Sequence, residues 1–251
     1  MTDYYTVKRN KLLNEFREAF GLPDEEERGI GQVEKSTSDF GYCIPGCELC
    51  EGVGLIASDD GWTACPNNPR RFYETGVNED DKELWKVLPK SNNVKTIKEA
   101  LSDILSAKKG MVYMHGTPGV GKSVCARAYT VDAINAGMRS LYIRQSDMVN
   151  YLRSSYDTEY GQDEYQARLK RFKDMDWLVI DELGRDRMTD FAQESMAEII
   201  DSRYTSALKR NKVTVLIGNF PPETIFQAYV VDRIRDKRNK VLSLQGKSSR
   251  A

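Results

Sequence analysis

Residues 116–123 read GTPGVGKS, a complete G-x-x-x-x-G-K-[ST] spacing, and the apolar run MVYMH just ahead has the character of a strand feeding a phosphate-binding turn. A triphosphate needs several donors converging on its oxygens. A glycine-rich turn entering a helix N-terminus presents successive backbone N–H groups to that charge. Gly116, Gly119 and Gly121 let the backbone come close and take positive φ. Lys122 can reach the β- and γ-phosphates as a mobile cation, and the Ser123 hydroxyl can complete the shell of a Mg²⁺ that prefers oxygen ligands. The expected nucleotide contacts are therefore Gly116, Thr117, Pro118, Gly119, Val120, Gly121, Lys122, Ser123 and Val124.

A second constellation lies sixty residues on. The run WLVI at 177–180 suits a strand buried on both faces, and it ends in Asp181 and Glu182. Ligands of open α/β sheets sit beyond the carboxyl ends of parallel strands, so Asp181 is placed to hold the metal, directly or through water. Glu182 is placed to orient and deprotonate an attacking water. By itself an acidic turn after a core strand is commonplace; with the phosphate loop upstream the pair points to nucleotide hydrolysis.

Four of the five cysteines cluster as Cys43, Cys47, Cys50 and Cys65, spaced C-x3-C-x2-C-x14-C. In a reducing compartment this clustering suggests thiolate ligation of Zn²⁺ in a closed structural site. The irregular spacing leaves open three thiolates plus a non-protein ligand, or no metal. Cys125 stands alone after the phosphate loop and reads as a small helix-packing residue. His115, the one histidine, reads as a strand-end residue lining the nucleotide pocket.

These residues require scaffolding. Leu12, Leu13, Phe16 and Phe20 recur at helical spacing, predicting an amphipathic helix over 7–20, followed by an acidic linker over 24–39. Residues 40–75 are glycine-rich and poor in apolar residues, predicting a loop-rich unit dependent on metal for its core. Beyond it, helices are predicted at 81–89 and 94–108, a strand at 111–115, and a helix from the phosphate loop to about 136. A strand at 140–144 and helices at 146–155 and 163–173 precede the acidic-ended strand. A helix at 189–209, a strand at 213–218, a helix near 223–231 and a strand at 241–244 complete the series. The alternation predicts an α/β fold with a parallel sheet covered on both faces. The division expected is 1–39, helix and linker; 40–80, cysteine module; and 81–251, nucleotide-binding domain.

With 37 basic against 38 acidic residues, overall charge gives no attraction for nucleic acid, which would have to engage local patches. Two candidates are Arg233, Arg235, Lys237, Arg238 and Lys240, and Lys170, Arg171 and Lys173. A solvated surface is the plainer explanation of each. No apolar run approaches the ~18 residues of a membrane span, and the N-terminus lacks a signal-peptide core, so a cytoplasmic location and no membrane partner are expected.

The order of motifs resembles the AAA+ ATPases, and within them the DnaC/DnaI helicase-loader and IstB-like group. WLVIDELG at 177–184 resembles the group's acidic-ended strand, and VLIGNFPP at 215–222 resembles its sensor 1 strand, which would set Asn219 beside the γ-phosphate and the attacking water. An amide there can donate to phosphate and accept from water at once. Asp232-Arg233-Ile234 resembles the stretch that carries the arginine finger, implying that Arg233 acts on a neighbouring subunit's nucleotide, with Arg235 as the competing candidate. The ending GKSSR resembles G-x-S-x-R, implying a sensor 2-like contact from Arg250. CELCEGVGLI followed by ACPNNP resembles the cysteine segment ahead of many loader cores, with Cys43 additional and no second cysteine directly after Cys65.

The resemblance covers roughly residues 43–250. It implies a three-layer P-loop AAA+ core without a C-terminal lid, preceded by a zinc module and an N-terminal helix, using ATP, Mg²⁺ and Zn²⁺. Lys122, Asp181, Glu182, Asn219 and Arg233 would carry the chemistry. The implied function is an ATP-dependent loader of a hexameric replicative DNA helicase onto single-stranded DNA, working as a homo-oligomer. Two alternatives stand beside it: an IstB-like transposition helper acting on duplex DNA, a class that generally lacks a cysteine module, and a zinc-dependent adaptor locked by nucleotide.

Overall fold

Five strands, β3 (Gly110–Gly116), β4 (Ser140–Arg144), β5 (Trp177–Leu183), β6 (Val213–Gly218) and β7 (Lys240–Leu244), form one sheet in the order β4-β5-β6-β3-β7, all pairings parallel. The coordinates are a computed structural model describing residues 47–50, 54–58, 61–65, 67–68, 71–72, 74–157, 161–185, 188–207 and 211–248. The expected N-terminal helix, the acidic linker, Cys43 and Arg250 lie outside the described residues.

Period-two alternation sorts the strand side chains into two cores. Val112, Met114, Trp177, Val179, Val215 and Ile217 pack with α1 (Asn92–Ala107) and α2 (Lys122–Asn135). Met111, Tyr113, Leu178, Ile180 and Leu216 pack against α3 (Gln145–Arg153), α4 (Gly161–Asp174), α5 (Asp190–Ser206) and α7 (Ala228–Ile234) on the other face. Helices therefore cover both faces of a parallel sheet, giving three layers. The buried indole of Trp177 donates to the Thr130 hydroxyl at 3.1 Å, so its polar edge is satisfied within the core.

Caps set the helix limits. The Ser91 hydroxyl accepts from the Val94 N–H at 3.3 Å to start α1, which stops where Lys108 turns left-handed at φ 51°. The expected helix near 223–231 is two pieces, α6 (Pro222–Ile225) and α7, because Phe226 and Gln227 are extended and the Phe226 side chain is buried in the core. The segment expected as an α-helix at 81–89 is a 3-10 helix, Glu79–Val87, lying on α2. The cysteine region, expected as loops, contains an antiparallel hairpin of β1 (Leu55–Ser58) and β2 (Gly61–Ala64). Its strands are too short and glycine-bounded to show an apolar pattern. Among the described residues, no helix is long and apolar enough to cross a membrane.

Arg203 on α5 is 1% exposed and closes α4. Its guanidinium donates to the carbonyls of Phe172 (2.9 Å), Met175 (2.6 Å) and Val213 (2.6 Å) and to the Thr214 hydroxyl (2.8 Å). Burial lowers its pKa to about 9, which still leaves it cationic at neutral pH. Arg203→Met should cost about 3 kcal/mol or more in urea denaturation, since several buried carbonyls lose their donor at about 1–3 kcal/mol each.

Candidate functional site

The carboxyl ends of β3, β5 and β6 open onto one cleft of about 490 Å³. The turn after β3 is fixed by sterics: Gly116 has φ 126°, and a Cβ there would stand 2.0 Å from the Leu244 carbonyl oxygen, which instead accepts from the Thr117 N–H at 2.9 Å. β7 thus presses the turn from beneath. Gly121, at φ 101°, leads directly into α2. Lys122 is buried and curls over the turn, its Nζ donating to the Gly116 (2.8 Å) and Thr117 (2.9 Å) carbonyls and lying 3.5 Å from the Asn219 amide oxygen. Its ammonium is therefore held between the turn and the end of β6. His115 is buried at the end of β3. Burial, and next the Arg235 charge, lower its pKa, so it is neutral near pH 7.

The two acidic residues reach the same cleft by a backbone irregularity. In a regular strand, neighbours point to opposite faces. Here the β5–β6 register shifts between Ile180 and Leu183, and Glu182 takes a left-handed φ of 58°. Both carboxylates consequently line the cleft. Asp181 is 4% exposed; its Oδ1 accepts from the Glu182 N–H at 2.7 Å and its Oδ2 from the Tyr142 hydroxyl. Glu182 pairs with Arg185 at 2.9 Å. Tyr142 carries no motif, and pattern reading overlooked it. Burial and the adjoining Asp181 charge push its pKa up, so it stays a neutral donor.

The structure thus brings Pro118, Gly119, Gly121, Lys122, Ser123, Val124, Asp181, Glu182 and Asn219 around one space, with Val120 turned into the core. Arg233 is elsewhere: its guanidinium pairs with Asp201 on α5 and donates to the Tyr229 carbonyl at 2.9 Å. Arg235 pairs with Glu223. Both basic patches are largely neutralised by carboxylates. Arg238 pairs with Asp236, Lys240 with Asp103, Lys170 with Asp174, Arg171 with Glu74 and Lys173 with Glu198. Neither cluster is the open positive strip that its spacing suggests.

The cysteines form a second site. Cys47, Cys50 and Cys65 are buried, with their sulfurs all within 4.8 Å of one another and 3.7 Å between Cys47 and Cys65. Tetrahedral thiolates about 2.3 Å from a zinc ion stand ~3.8 Å apart, so the donor set fits that metal. Burial alone would raise the Cys47 pKa. N–H donation from the Leu49 and Cys50 backbone and the Asn67 amide prevails and lowers it to about 6, favouring thiolate. The Gly54 N–H donates to Cys50 Sγ at 3.3 Å, a further contact suited to a metal-binding knuckle. Cys125 is buried in the core, its thiol pushed up to about 12 by burial, away from this group. Chelation, or Cys50→Ser, should make residues 47–68 protease-sensitive and lower bound zinc below one equivalent, while ATP affinity stays within about twofold.

A family model described as "IstB-like ATP binding protein" matches residues 89–250. An ATP-binding protein of insertion sequence IS5376 from Geobacillus stearothermophilus is 27% identical over 157 residues, 61% of each chain. The uncharacterized protein YdaV of Escherichia coli K12 is 28% identical over 119 residues, 47% of this chain and 46% of its own. The chain therefore spans between about half and three fifths of the curated relatives it matches. Among solved structures, DnaI aligns with a TM-score of 0.54 and 18% identity over 72% of this chain and all of that one. Domain III of the Thermotoga maritima replication initiation protein DnaA aligns with 0.55 and 18%, over 68% and 69%. These last two likenesses concern the fold. With its five-stranded parallel sheet, its phosphate-loop turn and a family match across residues 89–250, the chain belongs to the IstB-like ATP-binding proteins, of the P-loop AAA+ fold.

Proposed function

We propose that this protein is an ATPase switch that loads a replicative DNA helicase onto single-stranded DNA, hydrolysing ATP in the cleft between β3, β5 and β6. Residues 116–124 wrap the phosphates, and Lys122 neutralises charge at the β- and γ-positions. Ser123 and Asp181 would hold Mg²⁺, which supplies charge neutralisation on the phosphate oxygens. Glu182 accepts a proton from water as its oxygen attacks the γ-phosphorus and the bond to the β-phosphate oxygen breaks. Asn219 donates to the γ-phosphate and orients the water.

Arg233, partly exposed on α7, completes this site in a neighbouring copy, so activity depends on self-assembly. Arg233→Ala should leave nucleotide Kd unchanged and lower the hydrolysis rate about 10³-fold in the assembled state. An equal loss of nucleotide affinity in the monomer would contradict action across subunits.

The loader reading rests on the thiolate cluster ahead of the ATPase core, read as a zinc module, residues 40–80, that docks the helicase. The insertion-sequence relative favours a second reading, a transposition helper acting on duplex DNA. Native mass spectrometry of the chain mixed with the replicative helicase of its host, with and without ATP and Mg²⁺, separates them. A defined complex supports loading. Absence of a complex despite intact ATP binding favours the transposition helper.

A further inference from the structure

The segment that follows the cysteine cluster reaches the nucleotide site through three side chains that no phosphate-loop motif includes. Asp81, in the 3-10 helix, accepts from Arg127 of α2 at 3.0 and 2.7 Å, a two-pronged ion pair, and from the Asn78 N–H at 2.8 Å. The Arg127 guanidinium lies 5.0 Å from the centre of the Tyr142 ring. The Tyr142 hydroxyl donates to Asp181 Oδ2, and both residues are buried. The same segment also holds the Tyr142 backbone: its N–H donates to the Thr75 carbonyl at 2.8 Å. Gly76, at φ 76°, lets the chain lie so close that a Cβ would stand 1.9 Å from the Tyr142 carbonyl oxygen.

We propose that Tyr142 is a positioning residue for Asp181, and that Asp81 and Arg127 form the strut setting the Tyr142 ring, so that the segment at residues 75–81 governs how well the site binds a divalent cation. A carboxylate rotates easily about its last torsion. Asp181 is held at one oxygen by the Glu182 N–H and at the other by the phenol, so the carboxylate plane is fixed while each oxygen keeps a lone pair for a cation. Loss of the phenol frees that rotation. The ring and its stack with Arg127 survive in phenylalanine, so Tyr142→Phe tests the hydroxyl without emptying the core. Asp81→Asn releases the strut without touching the cleft.

This inference rests on the assignment of Asp181 to the metal, and the test separates the two. The quantity measured is the ratio of ATP Kd in EDTA to ATP Kd in Mg²⁺, together with direct Mn²⁺ binding by electron paramagnetic resonance, for the full chain. Tyr142→Phe should leave Kd in EDTA unchanged and reduce both the ratio and Mn²⁺ affinity about tenfold, as loss of a partner to a metal ligand does. Asp81→Asn should reduce them about threefold, and the double variant should fall no further than Tyr142→Phe alone. If Asp181→Asn abolishes the Mg²⁺ effect while Tyr142→Phe preserves it, the positioning role is overturned. If Asp181→Asn also preserves it, the assignment of Asp181 fails and the inference with it. Additive losses in the double variant overturn the strut.

Discussion

Glu182→Gln should lower ATP hydrolysis by about 10²–10⁴-fold while leaving ATP Kd nearly unchanged, the range expected when a positioned base is removed. The amide is close in size to the carboxylate but cannot accept the proton of the attacking water. It also loses the ionic half of the contact with Arg185, which is 65% exposed at its side chain and contributes under about 1 kcal/mol. Glu182 holds a left-handed φ of 58°, which costs glutamine no more than glutamate, so the bulge should persist in the variant. Single-turnover chemistry on preloaded protein is the measurement that isolates the step. A parallel fall in affinity would show that Glu182 holds the nucleotide and would remove it from the chemistry. If the loader reading holds, the trapped ATP state should also retain its helicase partner longer.

Lys122→Ala should abolish measurable ATP binding at micromolar concentrations. Two charge-assisted hydrogen bonds to phosphate oxygens amount to about 3 kcal/mol, or roughly two orders of magnitude in Kd. The structure adds a second cost. Lys122 Nζ holds the carbonyls of Gly116 and Thr117 together, so its removal also loosens the turn that presents the N–H groups. Lys122→Arg is the informative companion, because a wider, planar cation retains charge but does not fit between two carbonyls under 3 Å from one nitrogen. Isothermal titration with ATP, with and without Mg²⁺, would report both. Wild-type affinity in Lys122→Ala would remove the lysine from the binding assignment.

Much of the core was legible because strands buried on two faces and amphipathic helices leave a direct imprint on residue order. β3, β5 and β6 appear as apolar runs, and the phosphate loop and acidic pair follow them at the carboxyl ends. What was illegible depends on contacts between distant residues. Tyr142 is 39 residues from Asp181, and Arg127 is 46 from Asp81; no local spacing couples them. The bulge at Asp181 and Glu182 was hidden because a left-handed glutamate has no signature of composition. The basic clusters looked like phosphate tracks only while their counter-charges were out of sight; Lys240 meets Asp103 across 137 residues. The β1–β2 hairpin escaped because strands of four residues are too short for alternation to register.

The seal that residues 75 and 76 form along Tyr142 has a practical consequence for anyone shortening this chain. β4 is the outermost strand on its side of the sheet, and the matched family region begins only at residue 89. A fragment cut there would lose the Thr75 carbonyl, leave the Tyr142 N–H without that partner and uncover the sheet edge beside Leu141 and Tyr142, both nearly solvent-free in the intact chain. Such an unprotected border is a template for strand addition by another molecule, so the minimal nucleotide-binding core should be sticky and prone to precipitate. Keeping residues from about 71 onward would leave the border capped.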